Sequence, residues 1–403
     1  MKRDSLPSLL LLPFPPDPAS RVCLNAAYRP SLTAGLRRLR DADAARTLVV
    51  ALACPILSGP YMRSKTLPWP HAQSLLAGLY SIIAVICAEL SIETDVNGGP
   101  GSVDARVLLI DHDRARRFAA DFRPAVEPNN TAIVDLPTFA SAYFPWNYIF
   151  HVDSEQGHQL YSMYLKFAEG TQTLLQEQLV TVQAGVTMNA TEGGIPTAHS
   201  QTASHQTVCL GGTFDHLHPG HKLLLTAGAY ILDIPKEATS DPCHYIIGIT
   251  GDELLKNKKY AELVQPWDER ARNVLQFLST VLELSPAGWK QGRTLRIDES
   301  DGDFRAFFRD RTVSVQCVRI HDAFGPTITE ENIDALVVSG ETRSGGQAVN
   351  DKRVAQGWKP LEIFEVDVLE AGEISDEATK TENFASKISS TAIRQLKAEA
   401  ATS

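Results

Sequence analysis

The sequence predicts an α/β protein in which a Rossmann-like, doubly wound parallel sheet follows a second α/β domain. Across the 403 residues, short apolar runs of strand character alternate with helical patterns, which is typical of parallel sheets covered by helices. A stretch rich in Gly, Thr, Ser, Ala and Gln separates the two halves and is typical of a linker. We therefore expect an N-terminal domain over residues 1–185, a linker over 186–206 and a second domain over 207–403.

The overall composition is that of a globular protein. Hydrophobic residues make up 43% and charged residues 21% of the chain, and the formal net charge is -10. Such a balance gives no electrostatic footprint for nucleic acid, so we expect no DNA or RNA partner. The cysteines are scattered without a CxxC pair, which favours a reducing compartment over a disulfide framework or a thiolate zinc site.

The N-terminal half opens with a run of leucines over residues 9–12. Because prolines cut the run off, it is shorter than the apolar core of a signal peptide, and we expect no secretion signal and a cytoplasmic location. Residues 72–90 are the best candidate for a membrane span, but polar residues interrupt them and no basic flank follows. We expect a buried core helix there and no membrane span.

Further elements follow from local patterns. Strands are predicted over residues 47–53 and 107–111, and a helical stretch over 159–180. Beyond the linker, short apolar runs separated by helical patterns predict a parallel sheet, with strands over residues 208–210, 245–249, 313–320, 335–338 and 362–368.

The segment over residues 208–225 is the most informative about chemistry. It has the pattern of a buried strand, a glycine turn and a helix, and ligands bind at the carboxyl ends of such strands. Gly211 and Gly212 allow the backbone to approach a nucleotide closely. Pro219 suits the first turn of a helix, where no amide donor is needed. The helix is therefore expected to point its N-terminus at the site.

Two histidines occupy this helix start. His218 and His221 are three residues apart, so both imidazoles can face the point where free N–H groups favour a phosphate. The HxGH motif, following a strand and Gly-Gly-Thr-Phe-Asp, resembles the signature of the nucleotidyltransferase superfamily. The superfamily's second motif, of (S/T)xxR type, has a counterpart in Ser-Ser-Thr-Ala-Ile-Arg at residues 389–394. Its hydroxyls and the planar fork of Arg394 suit phosphate oxygens.

Two further segments narrow the resemblance. Residues 252–270 follow the second predicted strand of this half, and residues 337–350 follow a later one. Both resemble the phosphopantetheine adenylyltransferase domain of eukaryotic coenzyme A synthases, and the likeness extends over roughly residues 207–398. It implies that Lys256, or its neighbours Lys258 and Lys259, contacts the phosphates. We interpret Arg270 as a helix-surface residue.

The resemblance implies transfer of AMP from ATP to 4'-phosphopantetheine, with Mg²⁺ accompanying ATP on its phosphates. No carboxylate cage for a metal is recognised in the protein itself. The implied catalytic residues are His218, His221, Lys256 and Arg394, and the implied acceptor contacts are Thr213, Lys256 and Lys258. The implied ATP contacts are Gly211, Gly212, Thr213, Phe214, Asp215, Gly220, His221, Ser339, Glu341, Thr342, Arg343, Ser389, Ser390, Thr391 and Arg394.

Three alternative functions are considered beside this one. They are a cytidylyltransferase for a phospho-alcohol, an adenylyltransferase for nicotinamide mononucleotide, and a scaffold that binds nucleotide without catalysis. The sequence also lacks a P-loop, GxxxxGK(S/T). We therefore expect a chain without a dephospho-coenzyme A kinase domain, with a separate kinase and other coenzyme A pathway enzymes as possible partners.

Two expectations concern organisation. Residues 286–312 are longer than a compact domain needs between a helix and the next strand, and we interpret them as an insertion. Because few contacts normally cross a linker, we also expect the second domain to fold by itself.

Overall fold

Two large sheets, one in each half of the chain, organise the protein. The computed structural model describes residues 6–61, 63–119, 121–123, 129–142, 145–171, 173–187, 201–237, 241–284, 295–300, 302–369 and 389–402. Each sheet is covered by helices, as the alternating pattern of the sequence predicts.

The N-terminal sheet has the strand order β6-β5-β2-β1-β7-β8, and its strands pair in parallel. The chain runs from β1 outward to β6 and then returns across β1 to β7, so this sheet is also doubly wound. The strands are β1 (Ser8–Leu12), β2 (Arg46–Cys54), β3 (Ser58–Tyr61), β4 (Ser64–Thr66), β5 (Val103–Asp111), β6 (Val134–Asp135), β7 (Ile149–Val152) and β8 (Leu179–Val182), with β3 and β4 forming a separate hairpin. The helices are α1 (Arg21–Arg40), α2 (Trp69–Glu89), α3 (Leu136–Ala142) and α4 (Glu155–Phe167).

The leucine run at the N-terminus is the central strand of this sheet. Every residue of β1 is buried, as expected for a parallel strand that is covered on both faces. The predicted core helix is α2. Within the described residues α2 is the one helix long and apolar enough to cross a membrane, and 78% of its most apolar window is buried inside the protein.

The helical prediction over residues 159–180 is wrong in its second half. Helix α4 ends at Phe167, and Gly170 adopts a positive φ of 82°, which glycine alone tolerates without cost. A short 3-10 turn over Gln176–Gln178 then leads into β8, which pairs with β7. The apolar residues near Val180 belong to a strand because their partners lie in the sheet.

The C-terminal sheet has the order β11-β12-β13-β10-β9-β14-β15, in which β13, β10, β9, β14 and β15 are parallel. The five predicted strands are confirmed, with ends shifted by a few residues. The elements are β9 (Thr207–Gly212), α5 (Pro219–Tyr230), β10 (Cys243–Thr250), α6 (Trp267–Leu282), β11 (Asp298–Ser300), β12 (Asp303–Phe308), β13 (Val313–Ile320), β14 (Ala335–Ser339), α7 (Arg343–Ala355), β15 (Glu362–Val366) and α8 (Ser390–Thr402).

The predicted linker and insertion lie partly outside the described residues, at 188–200 for the linker and at 286–294 and 301 for the insertion. The described part of the insertion forms β11 and β12, an antiparallel hairpin at the edge of the sheet. Arg309, which follows it, is buried and donates to Leu282 O at 3.0 Å and to Thr131 O and Ala132 O at 2.7 and 2.9 Å. This segment therefore joins the two halves.

The expectation that few contacts cross between the halves is wrong. One hydrophobic core contains buried residues from both, and α2 packs on α5 while α5 and α6 contact β5. Polar groups cross as well. The Tyr230 hydroxyl meets Leu109 N at 2.9 Å, and Arg106 Nη1 donates to Gln276 O at 3.0 Å. The second half consequently packs against the first through a shared hydrophobic core.

Candidate active site

The signature segment lies at the topological switch point of the C-terminal sheet. From β9 the chain moves to β10 and β13 on one side and later crosses to β14 on the other. The carboxyl ends of β9, β10 and β14 therefore meet at one edge, where open α/β sheets bind their ligands. Gly211 and Gly212 end β9 there, and Ser339 ends β14.

The turn between β9 and α5 has a constrained backbone. Phe214 and His216 adopt positive φ angles of 52° and 46°, a region that side chains other than glycine enter at a cost. The Phe214 ring is fully buried, and a Cβ at Gly212 would come within 3.0 Å of it. The turn is thus fixed by packing.

Helix α5 begins at Pro219, as predicted, with His218 at the N-cap. No described side chain caps this end through a hydrogen bond. The first N–H groups of a helix have no partner within the helix, and the positive end of the helix dipole adds to them. The start of α5 therefore suits a phosphate.

The two signature histidines lie together at this helix start. The ring centroids of His218 and His221 are 3.8 Å apart, with 23° between the planes. Burial, helped by neighbouring cations, holds the pKa of His218 well below its usual value, and burial lowers the pKa of His221 to about 3. Both rings are therefore neutral at neutral pH, and a neutral imidazole carries one N–H donor. Both Nδ1 atoms are buried without a hydrogen-bond partner among the described residues.

The C-terminal motif packs onto the signature segment. Arg394 is 2% exposed and pairs with Asp215, while its Nε donates to Lys259 O at 3.1 Å and its Nη2 to Thr391 Oγ1 at 3.2 Å. The Ser390 hydroxyl donates to Asp215 O at 2.8 Å. The sequence predicted that the guanidinium of Arg394 binds phosphate oxygens; in the structure it forms an ion pair with the Asp215 carboxylate.

Asp215 acts as a structural centre of the site. It is fully buried, and besides Arg394 it accepts from Gln265 N at 2.9 Å. Its carboxylate is thus turned toward the protein. The resemblance implies a contact between Asp215 and ATP. Because the Asp215 side chain binds its protein neighbours, such a contact would come from the main chain of the turn.

The remaining predicted nucleotide contacts lie in the turn after β14. Thr342 closes that turn by hydrogen bonds to Ser339 N and Ser339 O, each at 3.2 Å. Arg343 Nε donates to Glu365 Oε2 on β15 at 2.6 Å, so its charge is partly neutralised. Glu341 is exposed in the same turn.

The candidate lysines lie in the loop that follows β10. Lys256, Lys258 and Lys259 are all exposed. Because Lys259 O accepts from Arg394, this loop borders the site. The main chain of this loop therefore lies beside the signature segment, and the side chains of the three lysines extend toward solvent.

Arg270 corrects the interpretation as a helix-surface residue. It is fully buried on α6 and donates to Thr213 O at 2.7 Å, Gln265 O at 2.8 Å and Asp252 Oδ1 at 2.6 Å. It therefore ties the signature turn to the loop after β10. Its position one turn from Trp267 and Val274, on the apolar stripe of the helix, was the signal that could have revealed it.

The N-terminal half supplies residues that the sequence did not suggest. Lys222, which follows His221 directly, is fully buried and donates to Asp104 Oδ1 at 2.6 Å and to Thr94 O at 2.7 Å. Burial of Asp104 raises its pKa, but Arg106 and Lys222 outweigh that effect and the pKa is lowered. Helix α5 is thus anchored by an ion pair to the other half.

Comparison with known proteins finds a matching family model for each half of the chain. Residues 1–188 match a domain of unknown function (DUF8446), and residues 209–396 match the cytidylyltransferase-like family. A phosphopantetheine adenylyltransferase of Saccharomyces cerevisiae is 38% identical over 187 residues, which are 46% of this chain and 47% of that protein. An uncharacterized protein of Schizosaccharomyces pombe is 37% identical over 186 residues, 46% of each chain.

The match thus spans about half the length of these two fungal relatives. A phosphopantetheine adenylyltransferase of Pyrococcus abyssi is 30% identical over 164 residues, which cover 41% of this chain and 80% of the archaeal protein. With the signature histidines at the switch point of a Rossmann-like sheet, the chain belongs to the phosphopantetheine adenylyltransferase family.

Proposed function

We propose that this protein transfers AMP from ATP to 4'-phosphopantetheine, giving dephospho-coenzyme A and pyrophosphate. The observation that carries the proposal is the stacked pair His218 and His221 at the N-terminus of α5, a site built for phosphate. The names of the relatives support the choice of acceptor.

The reaction needs little proton transfer. The acceptor is a phosphomonoester with a second pKa near 6, so it is largely a dianion at neutral pH, and no general base is required. One of its oxygens forms a bond to the α-phosphorus of ATP, and the bond from that phosphorus to the oxygen that bridges to the β-phosphorus breaks. The electron pair leaves with pyrophosphate. The protein has to align these atoms and stabilise the growing charge.

The histidines suit that task as hydrogen-bond donors. We assign His221 to the α-phosphate and His218 to the transition state beside it. Since their low pKa values keep both rings neutral, each can donate one N–H to a phosphate oxygen without transferring the proton. Donors that are fixed before the reaction act strongly in a site shielded from water.

The cations of the site complete the phosphate contacts. We assign Lys256, with Lys258 and Lys259 as alternatives, to the phosphates, and Lys258 with Thr213 to the acceptor. Arg394 uses part of its fork for Asp215, and a guanidinium has five N–H donors, so donors remain for a nucleotide phosphate. Ser389, Ser390 and Thr391 lie at the start of α8 beside it.

The nucleotide itself is assigned to the edge between β9 and β14. Gly211, Gly212 and Gly220 give the backbone close approach on one side, and Ser339 with the turn to Arg343 forms the other. Mg²⁺ is assigned to the phosphates of ATP, since it usually keeps several waters and takes substrate phosphates as ligands. Its charge would neutralise those phosphates. The described residues contain no group of three or more His, Cys, Asp and Glu that could hold a metal.

The product is expected to leave as dephospho-coenzyme A. The 403 residues contain no P-loop, whose amides and lysine would hold ATP for a kinase of the usual kind. We propose a dephospho-coenzyme A kinase and other coenzyme A pathway enzymes as partners of this protein in the cytoplasm.

A release assay for pyrophosphate separates this function from its alternatives. Purified protein with Mg²⁺ is given ATP or CTP together with 4'-phosphopantetheine, nicotinamide mononucleotide or a phospho-alcohol. Pyrophosphate from ATP and 4'-phosphopantetheine is expected. Pyrophosphate release only with another nucleotide and acceptor would indicate a cytidylyltransferase or a nicotinamide mononucleotide adenylyltransferase. ATP binding without pyrophosphate release from any combination would indicate a non-catalytic scaffold.

A further inference from the structure

One loop of the N-terminal half, residues 94–97 between α2 and β5, lies against the candidate active site. Its residues hydrogen-bond to four parts of the second half, namely the signature turn, α5, the loop after β10 and α6. Thr94 O accepts from Lys222 Nζ at 2.7 Å, Asp95 Oδ2 meets His216 Nδ1 at 2.9 Å and Gln265 Nε2 at 3.3 Å, and Asn97 Nδ2 donates to Asn273 Oδ1 at 2.6 Å.

The central contact of this loop is the pair formed by Asp95 and His216. Both partners are largely buried, with side chains 11% and 8% exposed. The other ring nitrogen of His216 faces Leu263 O at 3.2 Å. Carboxylate and carbonyl oxygens both accept, so each ring nitrogen has to carry a proton, and the geometry selects the imidazolium.

The charge balance around the ring agrees with this geometry. Burial alone lowers the pKa of His216, but the hydrogen bond to Asp95 and the charges of Asp215 and Asp95 together outweigh it, and the pKa is raised. His216 also contributes to the low pKa of both His218 and His221. A fixed cation therefore lies beside the pair that is assigned to the phosphates.

The same residue holds the backbone of the signature turn. His216 has a positive φ of 46°, and its N–H donates to Gln265 Oε1 at 2.8 Å. Asp95 binds both the His216 ring and the Gln265 amide. The Asp95 carboxylate thus fixes the side chains of His216 and Gln265. These two side chains hold the turn in its unfavourable backbone conformation, and the turn lies two residues before His218.

We propose that Asp95 is a positioning residue of the nucleotidyltransferase site, and that through His216 the N-terminal half holds the signature turn in its active form. This inference rests on the proposed function, since its effect is expressed in nucleotidyl transfer. It gives the N-terminal half a role in the reaction although Asp95 touches no substrate.

The test is a double-mutant cycle on the full chain. Turnover with ATP and 4'-phosphopantetheine is measured for the wild type, Asp95→Asn, His216→Gln and the double variant, with thermal unfolding of each. Glu93→Gln is the matched control, because Glu93 is the neighbouring exposed residue and its carboxylate pairs with Lys397 at 3.4 Å, away from His216. If Asp95→Asn does not fold, Asp95→Glu takes its place with the same expectations.

Each single variant is expected to lower kcat by about tenfold to a hundredfold, the scale of a misaligned site. The double variant is expected to be no worse than the poorer single one, because both changes break the same contact. The control should stay within about twofold of the wild type. Near-normal kcat in Asp95→Asn, or losses that multiply in the double variant, would overturn the inference.

A wrong acceptor can be told apart from a wrong role for Asp95. If the wild type shows no turnover with 4'-phosphopantetheine, the acceptor is wrong, and the same cycle is then measured on the dissociation constant of Mg-ATP. Weaker binding in both single variants without a further loss in the double variant supports the positioning role. Unchanged binding in Asp95→Asn contradicts it.

Discussion

At the scale of single residues, burial decides how the signature histidines can act. The three-residue spacing of His218 and His221 predicts that their rings meet, which they do. Their neutrality could not be predicted, because it results from the burial of both rings in the folded chain. Arg270 shows the same limit, since its three acceptors become visible only in the fold.

His218→Ala and His221→Ala are each expected to lower kcat by about a hundredfold or more, the effect of losing one fixed donor to a developing charge. Turnover is measured by pyrophosphate release. His158→Ala is the control, since His158 is an exposed histidine of the other half. Near-normal turnover in both signature variants would remove the histidines from the mechanism.

The low pKa values of these histidines also predict how stability depends on pH. An unfolded histidine takes up a proton near pH 6.5, whereas the folded rings stay neutral to much lower pH. The unfolded state therefore binds more protons, and the free energy of unfolding falls as the pH drops below about 6.5. Each ring contributes up to about 1.4 kcal/mol per pH unit.

Urea unfolding at pH 6.5 and pH 5 measures that slope. The double variant His218→Ala/His221→Ala should lose less stability over this interval than the wild type. Equal slopes in the two proteins would show that the rings are already protonated in the fold or that they titrate normally.

Arg394→Lys should lower turnover and ATP affinity although it keeps the charge. A lysine cannot bind Asp215, Lys259 O and Thr391 together, and it lacks the planar fork for phosphate. Loss of one charge-assisted hydrogen bond, about 1.5 to 3 kcal/mol, corresponds to tenfold or more in kcat/KM for ATP. Arg272→Lys on the exposed face of α6 is the matched control. Unchanged ATP affinity and turnover in Arg394→Lys would exclude Arg394 from the site.

At the scale of elements, local patterns predicted seven of the fifteen strands in the described residues, among them the five parallel strands of the second sheet, and the start of α5. Pro219 marks that start because its missing N–H is not needed there. The pattern failed at residues 159–180, where apolar spacing alone could not separate the end of α4 from the strand β8. It also gave no hint that α5 is anchored from outside its own domain.

Asp104→Asn tests that anchor. The change leaves Lys222 buried without its carboxylate, and breaking a buried pair in this way costs about 3 to 5 kcal/mol. Urea unfolding measures the loss. Glu89→Gln, which breaks an exposed pair with Arg29, should cost about 1 kcal/mol or less. Equal effects of the two changes would show that the buried pair does not hold α5.

At the scale of the whole molecule, the two sheets share one hydrophobic core. The sequence predicted two α/β units from alternation and linker composition. The interface escaped prediction because it joins segments far apart in the chain, such as Arg309 with Thr131, and such contacts leave no periodic signal.

This shared core reverses the expectation of an autonomous second domain. Residues 201–403 produced alone would expose the faces of α5 and α6 that pack on α2 and β5, so we expect an aggregated, inactive fragment. Residues 1–187 and 201–403 produced together as separate chains should associate and regain turnover, as measured by size-exclusion chromatography and pyrophosphate release. A soluble, fully active 201–403 fragment would contradict the account.

Transfer of AMP to 4'-phosphopantetheine can be tested by tracing the phosphorus atoms of ATP. The protein is incubated with Mg²⁺, 4'-phosphopantetheine and ATP labelled at either the α- or the γ-phosphorus, and the products are separated. We expect the α label in dephospho-coenzyme A and the γ label in pyrophosphate, in equal amounts. A γ label in the pantetheine product, or an α label that stays in ATP, would contradict this mechanism.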